Sequence, residues 1–191
     1  MEKTKQKITR IAILGDGTTP KTNRFFKSAV KVAKILAENG YTIVNGGGPG
    51  IMLASTLGAK QANGKVEIII ISSSATPNNY EGVNDKNLKL ADKVIKTANY
   101  QSRVNMLINY VDAFVIFPGG TGSLAEVGLA WSEAKFDFGH HKPLIFFGKS
   151  WQKVISEMIS QFHFEPKERG VYQIINSHAE IIPALQKLAG N

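Results

Sequence analysis

Short apolar runs and helix-periodic segments alternate along the chain. Apolar, β-branched runs predict strands at 8–14, 41–44, 66–71, 93–96, 111–117, 144–147 and 171–175. Apolar residues spaced three or four positions apart predict helices at 20–39, 51–62, 98–110, 123–135, 151–162 and 178–188. Repeated β–α units of this length are typical of a parallel sheet with helices on both faces. We therefore predict a single-domain, doubly wound Rossmann-like α/β fold over residues 1–191, with 1–7 as a flexible tail.

The segment 72–89 departs from this alternation. It has little periodicity and contains several serine, proline, asparagine and glycine residues. Such a stretch predicts the longest loop of the chain, and a lid or a ligand-contacting segment is the functional role that a loop of this length suggests.

Composition excludes several classes of protein. With 43% hydrophobic and 20% charged residues, the chain of 191 residues falls in the range of globular proteins rather than disordered ones. The absence of cysteine rules out a disulfide framework, a cysteine nucleophile and a thiolate metal site. No apolar run approaches the roughly 20 residues that span a bilayer, and residues 1–10 lack the apolar core of a signal peptide. We expect a cytoplasmic protein without a membrane partner.

The net charge of +8 is unevenly distributed. Lys3, Lys5, Lys7 and Arg10 against Glu2 place +3 of it in the first ten residues. The remaining charge is spread without a long basic run, whereas a nucleic-acid binder usually concentrates its lysines and arginines on one element. A small anionic ligand is therefore a better expectation than nucleic acid.

Half of the 18 glycines lie in three short segments, each between a predicted strand and a predicted helix. They are Gly15 and Gly17; Gly46, Gly47, Gly48 and Gly50; and Gly119, Gly120 and Gly122. In a parallel sheet these three turns meet at the carboxyl edge, where backbone amides and helix N-termini bind anions. Neither GxGxxG nor a Walker A sequence is present. The pattern predicts a phosphate pocket that uses neither standard nucleotide fingerprint.

The sequence 113–133 contains the densest group of candidate residues. Its turn, Gly119 to Ser123, offers free amides and the hydroxyls of Thr121 and Ser123 to a phosphate. Glu126 has two interpretations. It can close a capping box with Ser123, or its carboxylate can lie beside the sugar of a ligand whose phosphate binds next to it.

Two further features are ambiguous on spacing alone. Arg103 lies at the flank of the buried stripe of its predicted helix, so it is either a solvated arginine or a functional one. His140 and His141 are adjacent and lack nearby carboxylates, which is a poor pattern for metal, and we expect neither a metal nor a cofactor.

Two of these motifs resemble the LOG family of cytokinin-activating phosphoribohydrolases. The family's GGGxxGxM loop is similar to 46–52, which includes Gly46, Gly47, Gly48, Gly50 and Met52. Its PGGxGTxxE turn is similar to 118–126, with serine at 123 where the family has threonine, and Arg103 precedes it as the family's arginine does. The resemblance covers roughly residues 8–151. The family often has lysine where this chain has Val104.

The resemblance implies a function and roles for these residues. The activity would be hydrolysis of the N-glycosidic bond of a nucleoside 5′-monophosphate, with Gly119 to Ser123 on the phosphate and Arg103 and Glu126 as the catalytic pair. Arg103 would orient Glu126 or the leaving base. The family also implies a homodimer. An alternative of another class is a carrier, similar to molybdenum-cofactor carriers, that binds a phosphate-bearing ligand without cleaving it.

Overall fold

A computed structural model describes residues 8–72 and 82–189 and contains one seven-stranded sheet. The strands are β1 (Arg10–Leu14), β2 (Thr42–Asn45), β3 (Val66–Ile71), β4 (Lys93–Thr97), β5 (Ala113–Ile116), β6 (Leu144–Phe147) and β7 (Tyr172–Ile175). Their order is β4-β3-β2-β1-β5-β6-β7, and every neighbouring pair is parallel. This arrangement confirms the predicted fold class.

The helices follow the strands in the expected alternation. They are α1 (Arg24–Glu38), α2 (Gly50–Gln61), α3 (Asp85–Leu90), α4 (Tyr100–Tyr110), α5 (Thr121–Phe136), α6 (Lys149–Gln161), α7 (Pro166–Gly170) and α8 (Ile181–Ala189). A 3-10 turn at His178–Glu180 precedes α8, and the Ser177 side chain caps it. None of these helices is long and apolar enough to cross a bilayer.

Side chains of alternate strand residues enter two separate cores, one on each face of the sheet. Ile11 and Ile13 of β1 pack with α1, α2 and α8, whereas Ala12 and Leu14 pack with α4, α5 and α6. Because both faces of the inner strands are covered, strands such as β3, β5 and β6 have the nearly continuous apolar sequences that predicted them.

Two differences from the sequence expectation bear on the site. The predicted loop 72–89 contains the six-residue helix α3, whose first turn is capped by the side chain of Asn84, while 73–81 lies outside the described residues. Helix α5 begins at Thr121 rather than near Ser123, because the backbone turns directly into the helix after Gly120. This shift of two residues moves Glu126 from the first turn of the helix into the second.

The strand order reverses direction at β1, which pairs with β2 on one side and β5 on the other. In open parallel sheets, a crevice forms outside the carboxyl ends of the strands at such a switch point. The turns that follow β1, β2 and β5 are the three glycine segments, so the topology brings them together.

Candidate functional site

A cavity of about 600 Å³ occupies the carboxyl edge at the switch point. All three glycine turns contribute to its walls, and Arg103 and Glu126 reach it from α4 and α5. Of the ten residues predicted to bind phosphate or nucleotide, seven line the cavity: Gly46, Gly48, Met52, Gly120, Thr121, Gly122 and Ser123. Gly47, Gly50 and Gly119 are outside the lining, and their roles are in the packing of the turns.

The start of α5 presents backbone donors to this cavity. The N-cap of α5 is Gly120, so no side chain caps the helix. The first helical hydrogen bond runs from the Leu124 amide to the Gly120 carbonyl, at 3.0 Å. The amides of 121–123 therefore precede the helical ladder and have no acceptor within it. Free amides at the positive end of a helix dipole are a chemical environment that suits an anion.

The capping-box interpretation of Ser123 and Glu126 is wrong. Ser123 is the third residue of α5 rather than its cap, and its hydroxyl lies beside Gly119, where an added Cβ would collide with it. Because the helix starts two residues earlier than the spacing suggested, Glu126 lies in the second turn and faces the cavity.

Arg103 and Glu126 face each other in the cavity wall. Nη1 of Arg103 lies 3.9 Å from Oε1 of Glu126, and the two residues are only 7% and 8% exposed. The Arg103 Nε also donates to the carbonyl of Ile69, within β3, at 3.2 Å. The interpretation of Arg103 as a solvated arginine is therefore wrong, because the side chain runs inward along the sheet edge.

Gly46 provides the surface on which the Arg103 guanidinium lies. A Cβ at Gly46 would overlap Nη2 of Arg103 and approach the Met52 sulfur to 3.1 Å. The position thus requires glycine for space rather than for an unusual φ. The GGG loop (residues 46–48) and Arg103 are far apart in sequence, yet they pack directly against each other.

Burial raises the pKa of the Glu126 carboxyl, and the positive charge of Arg103 offsets part of that effect. Within residues 8–72 and 82–189, neither a hydrogen-bond donor nor a second cation stabilises the carboxylate. A buried carboxylate without donors is costly in an isolated protein. It is suited to interact with a positive charge or a hydroxyl group brought by a ligand.

The remaining glycines of the second turn shape the loop. Gly47 has φ +77°, and a Cβ there would approach Ile70 Cγ2 to 2.7 Å. Gly50 has φ +59°, and its Cβ would collide with the Asp16 carbonyl. Both positions therefore need glycine to bring the loop against its neighbours rather than to bind a ligand directly.

A ring of hydrogen bonds among buried side chains lies under that loop. Asn45 Nδ2 donates to Thr56 Oγ1 (2.9 Å), Thr56 Oγ1 donates to Asn87 Oδ1 (2.5 Å), and Asn87 Nδ2 donates back to Asn45 Oδ1 (3.3 Å). The ring also accepts the Gly47 amide and donates to the Gly48 carbonyl. The only sequence signal for it was the pair of polar residues inside the apolar helix α2.

Asp16 also lines the cavity, although none of the sequence motifs indicated it. Burial favours a higher pKa for Asp16, but hydrogen bonds from Thr19 and Thr18 outweigh it, so the pKa is lowered and the group is a carboxylate. Its backbone joins the three turns: the amide donates to the Pro118 carbonyl, and its carbonyl accepts from the Ile51 amide. Tyr100, at the start of α4, also lines the cavity.

The two histidines and Val104 lie away from the lining. His141 is buried against Phe138 and its Nδ1 accepts from the Gly139 amide. Across the described ranges, no cluster of three or more His, Asp or Glu side chains could hold a metal ion. Val104 is buried in the core between α4 and the sheet, so valine at this position leaves the cavity lining unchanged.

The sequence of this chain matches the model of a known protein family. The profile of the SLOG cluster4 family matches residues 8–171, a range that includes every residue lining the cavity. The chain belongs to the SLOG cluster4 family. The match, together with the relatives below, confirms the resemblance to LOG proteins.

This SLOG cluster4 chain has relatives that are named as enzymes and others that are not. It is 28% identical to the cytokinin riboside 5′-monophosphate phosphoribohydrolase of Mycobacterium tuberculosis over 71% of this chain and 73% of that protein. It is 30% identical to an uncharacterized protein of Archaeoglobus fulgidus over 68% and 78%. The molybdenum cofactor binding protein of Rippkaea orientalis shares the fold, with a TM-score of 0.70, 20% identity and coverage of 96% and 98%.

Proposed function

We propose that this SLOG cluster4 chain hydrolyses the N-glycosidic bond of a nucleoside 5′-monophosphate, giving the free base and ribose 5-phosphate. The observation that carries the proposal is the buried Arg103–Glu126 pair, 3.9 Å apart, in the same cavity as the free amides of α5. The relative in Mycobacterium tuberculosis, named for this reaction, supports it.

The start of α5 is the proposed phosphate site. The amides of 121–123 and the hydroxyls of Thr121 and Ser123 supply neutral donors, and the helix dipole adds about half a positive charge. Arg103 is the one cation among the described residues that line the cavity. Its position opposite Glu126 leaves the phosphate to the backbone and hydroxyl groups.

Glu126 is the proposed catalytic carboxylate. As the glycosidic bond breaks, positive charge develops on the ribose, and a carboxylate fixed beside it stabilises that charge more in the transition state than in the substrate. The base leaves with the bonding electron pair, water attacks the anomeric carbon and contributes its hydroxyl to the ribose, and the proton that the water loses balances the one that the base takes up. A guanidinium is a poor group for proton transfer, so the proposed role of Arg103 is to orient Glu126 or the leaving base.

The test is release of free base from a panel of nucleoside 5′-monophosphates, measured by chromatography. We expect the wild-type protein to release base and Glu126→Gln to lose activity by about 10² to 10⁴-fold. Glu133→Gln is a matched control, because Glu133 lies two turns further along α5 and outside the cavity lining. Equal release by wild type and Glu126→Gln, or no release from any substrate, would contradict the proposal.

A carrier that holds a phosphate-bearing ligand intact is the second candidate. The observation in its favour is that the donors of α5 are complete without Glu126, so binding does not depend on the carboxylate. The buried carboxylate favours hydrolysis, because a carrier gains nothing from the cost of burying it. Native mass spectrometry discriminates between the two: an intact ligand retained by the purified protein would support the carrier.

We also propose that two chains pair through the outer face of α5. Leu124 is 49% exposed there, the neighbouring Gly128 has open space around it, and the apolar residues of α5 are not confined to one side of the helix. A helix whose apolar residues extend beyond one face is suited to packing on more than one side. Light scattering after size exclusion should show a dimer, and Leu124→Lys should give a monomer of unchanged fold; a wild-type monomer would refute the pairing.

A further inference from the structure

The hydrogen-bond ring of Asn45, Thr56 and Asn87 connects three separate elements of the fold. Asn45 ends β2, Thr56 lies in the middle of α2, and Asn87 belongs to α3. All three residues are fully buried. Each member both donates to and accepts from another, so the ring is a closed cycle in which each hydrogen bond polarises the next.

The ring binds the backbone of the GGG loop from below. Asn45 Oδ1 accepts the Gly47 amide at 2.9 Å, and Asn87 Nδ2 donates to the Gly48 carbonyl at 2.8 Å. Outside the ring, the Asn84 amide donates to the Gly47 carbonyl at 2.9 Å. Helix α3 thus holds two successive carbonyls of the loop.

The position of this loop sets the shape of the cavity. Gly46 lies directly before the bound peptide groups and carries the guanidinium of Arg103 on its surface. Gly48 and Met52 also line the cavity. If the loop shifts, the surface under Arg103 shifts with it, and so does the separation of Arg103 from Glu126.

We propose that Asn87 is a positioning residue for the ligand site: through the ring it fixes the GGG loop, and through the loop it fixes Arg103 opposite Glu126. This inference rests on the proposed function for its ligand, a nucleoside monophosphate. Asn87 itself lies outside the lining of the cavity, so it acts only through the loop.

The experiment measures AMP affinity in two sets of variants. Asn87→Ala removes the bonds to Gly48 and Asn45, and we expect the Kd for AMP to rise about tenfold or more. Thr56→Val keeps the volume and removes the hydroxyl, so we expect a rise of about threefold to tenfold. Thr56→Ser keeps the hydroxyl and should restore the Kd to within about twofold of wild type.

A control variant separates positioning from general destabilisation. Asp112 lies at the opposite edge of the sheet, where its carboxylate accepts the amides of Thr9 (2.7 Å) and Arg10 (2.9 Å). Asp112→Ala should lower the melting temperature, as Asn87→Ala does, but leave the Kd for AMP within about twofold of wild type. If base release is observed, Asn87→Ala should both raise KM and lower kcat, whereas Asp112→Ala should change neither.

Hydrogen exchange at the Gly47 amide tests the inference without a ligand. We expect this amide to exchange about tenfold faster in Thr56→Val than in Thr56→Ser or Asp112→Ala. Unchanged exchange, or a folded Asn87→Ala with wild-type affinity for AMP, would overturn the inference and leave the proposed function standing. If Asn87→Ala fails to fold, the comparison of Thr56→Val with Thr56→Ser decides whether the ring positions the loop. If the wild type binds no AMP and releases base from no nucleoside 5′-monophosphate of the panel, the proposed function fails, and the exchange measurement alone decides whether Asn87 positions the loop.

Discussion

Two helices begin at the carboxyl edge after a glycine-rich turn, and they use their N-termini differently. At α5, Gly120 has no atom within 4 Å of an added Cβ, and the first-turn amides face the cavity. At α2, Gly50 packs against the Asp16 carbonyl, which also accepts the Ile51 amide at 3.0 Å. The α5 start is open to a ligand, whereas the α2 start is closed by the protein itself.

This difference shows that glycine density does not by itself identify a binding turn. At the open α5 start, glycine leaves room for an external anion. At the closed α2 start, glycine lets one part of the backbone approach another. A substitution at the start of α5 should therefore affect mainly ligand binding, whereas a substitution at the start of α2 should affect mainly the stability of the fold.

The largest effect is expected at Gly50. Gly50→Ala should lower the free energy of unfolding by about 3 kcal/mol, because the φ of +59° is strained for alanine and its Cβ collides with the Asp16 carbonyl. Gly120→Ala at the open start should cost less than about 1 kcal/mol. Urea denaturation of both variants measures the difference, and equal losses would remove the distinction between the two starts.

The next effect is expected at Gly46, where the glycine loop meets the arginine. Gly46→Ala should displace the Arg103 guanidinium and reduce base release by about 10²-fold, because small misplacements of catalytic groups have effects of that size. Gly128→Ala, on the open outer face of α5, should retain activity. Steady-state kinetics measures both, and a fully active Gly46→Ala would show that the guanidinium can occupy another position.

A smaller effect is expected for one hydroxyl at the open start. Ser123→Ala should weaken AMP binding by about fivefold to tenfold, the loss of one hydrogen bond to a charged group. Ser132→Ala, on an exposed part of the same helix, should bind AMP as wild type does. Isothermal titration calorimetry gives the two dissociation constants; similar values for the two variants would place the phosphate elsewhere.

The smallest effect is the pH dependence of stability caused by Glu126. Burial raises its pKa above the ordinary value of 4.5, so the folded state retains the proton that the unfolded chain releases. The stabilising contribution of the neutral form is complete below about pH 4.5 and is lost as pH rises through the raised pKa. The free energy of unfolding of the wild type minus that of Glu126→Gln, measured by denaturation at several pH values, should fall as pH rises. A difference that rises with pH would contradict the raised pKa of Glu126.

The sheet and the meeting of the three turns were predictable, and the reason is physical. A strand buried on both faces must be apolar throughout, so segments such as 66–71 are visible without any structure. Because all strands of a parallel sheet end at the same edge, the sequence also predicted that the turns after β1, β2 and β5 meet there. The LOG resemblance added the pairing of Arg103 with Glu126.

The details that remained hidden depend on contacts between distant residues. The capping box at Ser123 failed because the start of α5 is set by the backbone after Gly120, not by a side chain. Helix α3 is too short to show periodicity, and Asn87 bonds to residues 31 and 42 positions away. No local pattern reports partners at that separation.

The contact between Gly46 and Arg103 also has a consequence for how the sequence can evolve. Because an added Cβ at 46 overlaps the guanidinium, position 46 cannot gain a side chain while Arg103 keeps its place. A larger residue at 46 requires a shorter one at 103, and a lineage that loses the arginine loses the main steric reason for the glycine. The two positions should therefore covary among relatives, with the glycine conserved only where the arginine is retained.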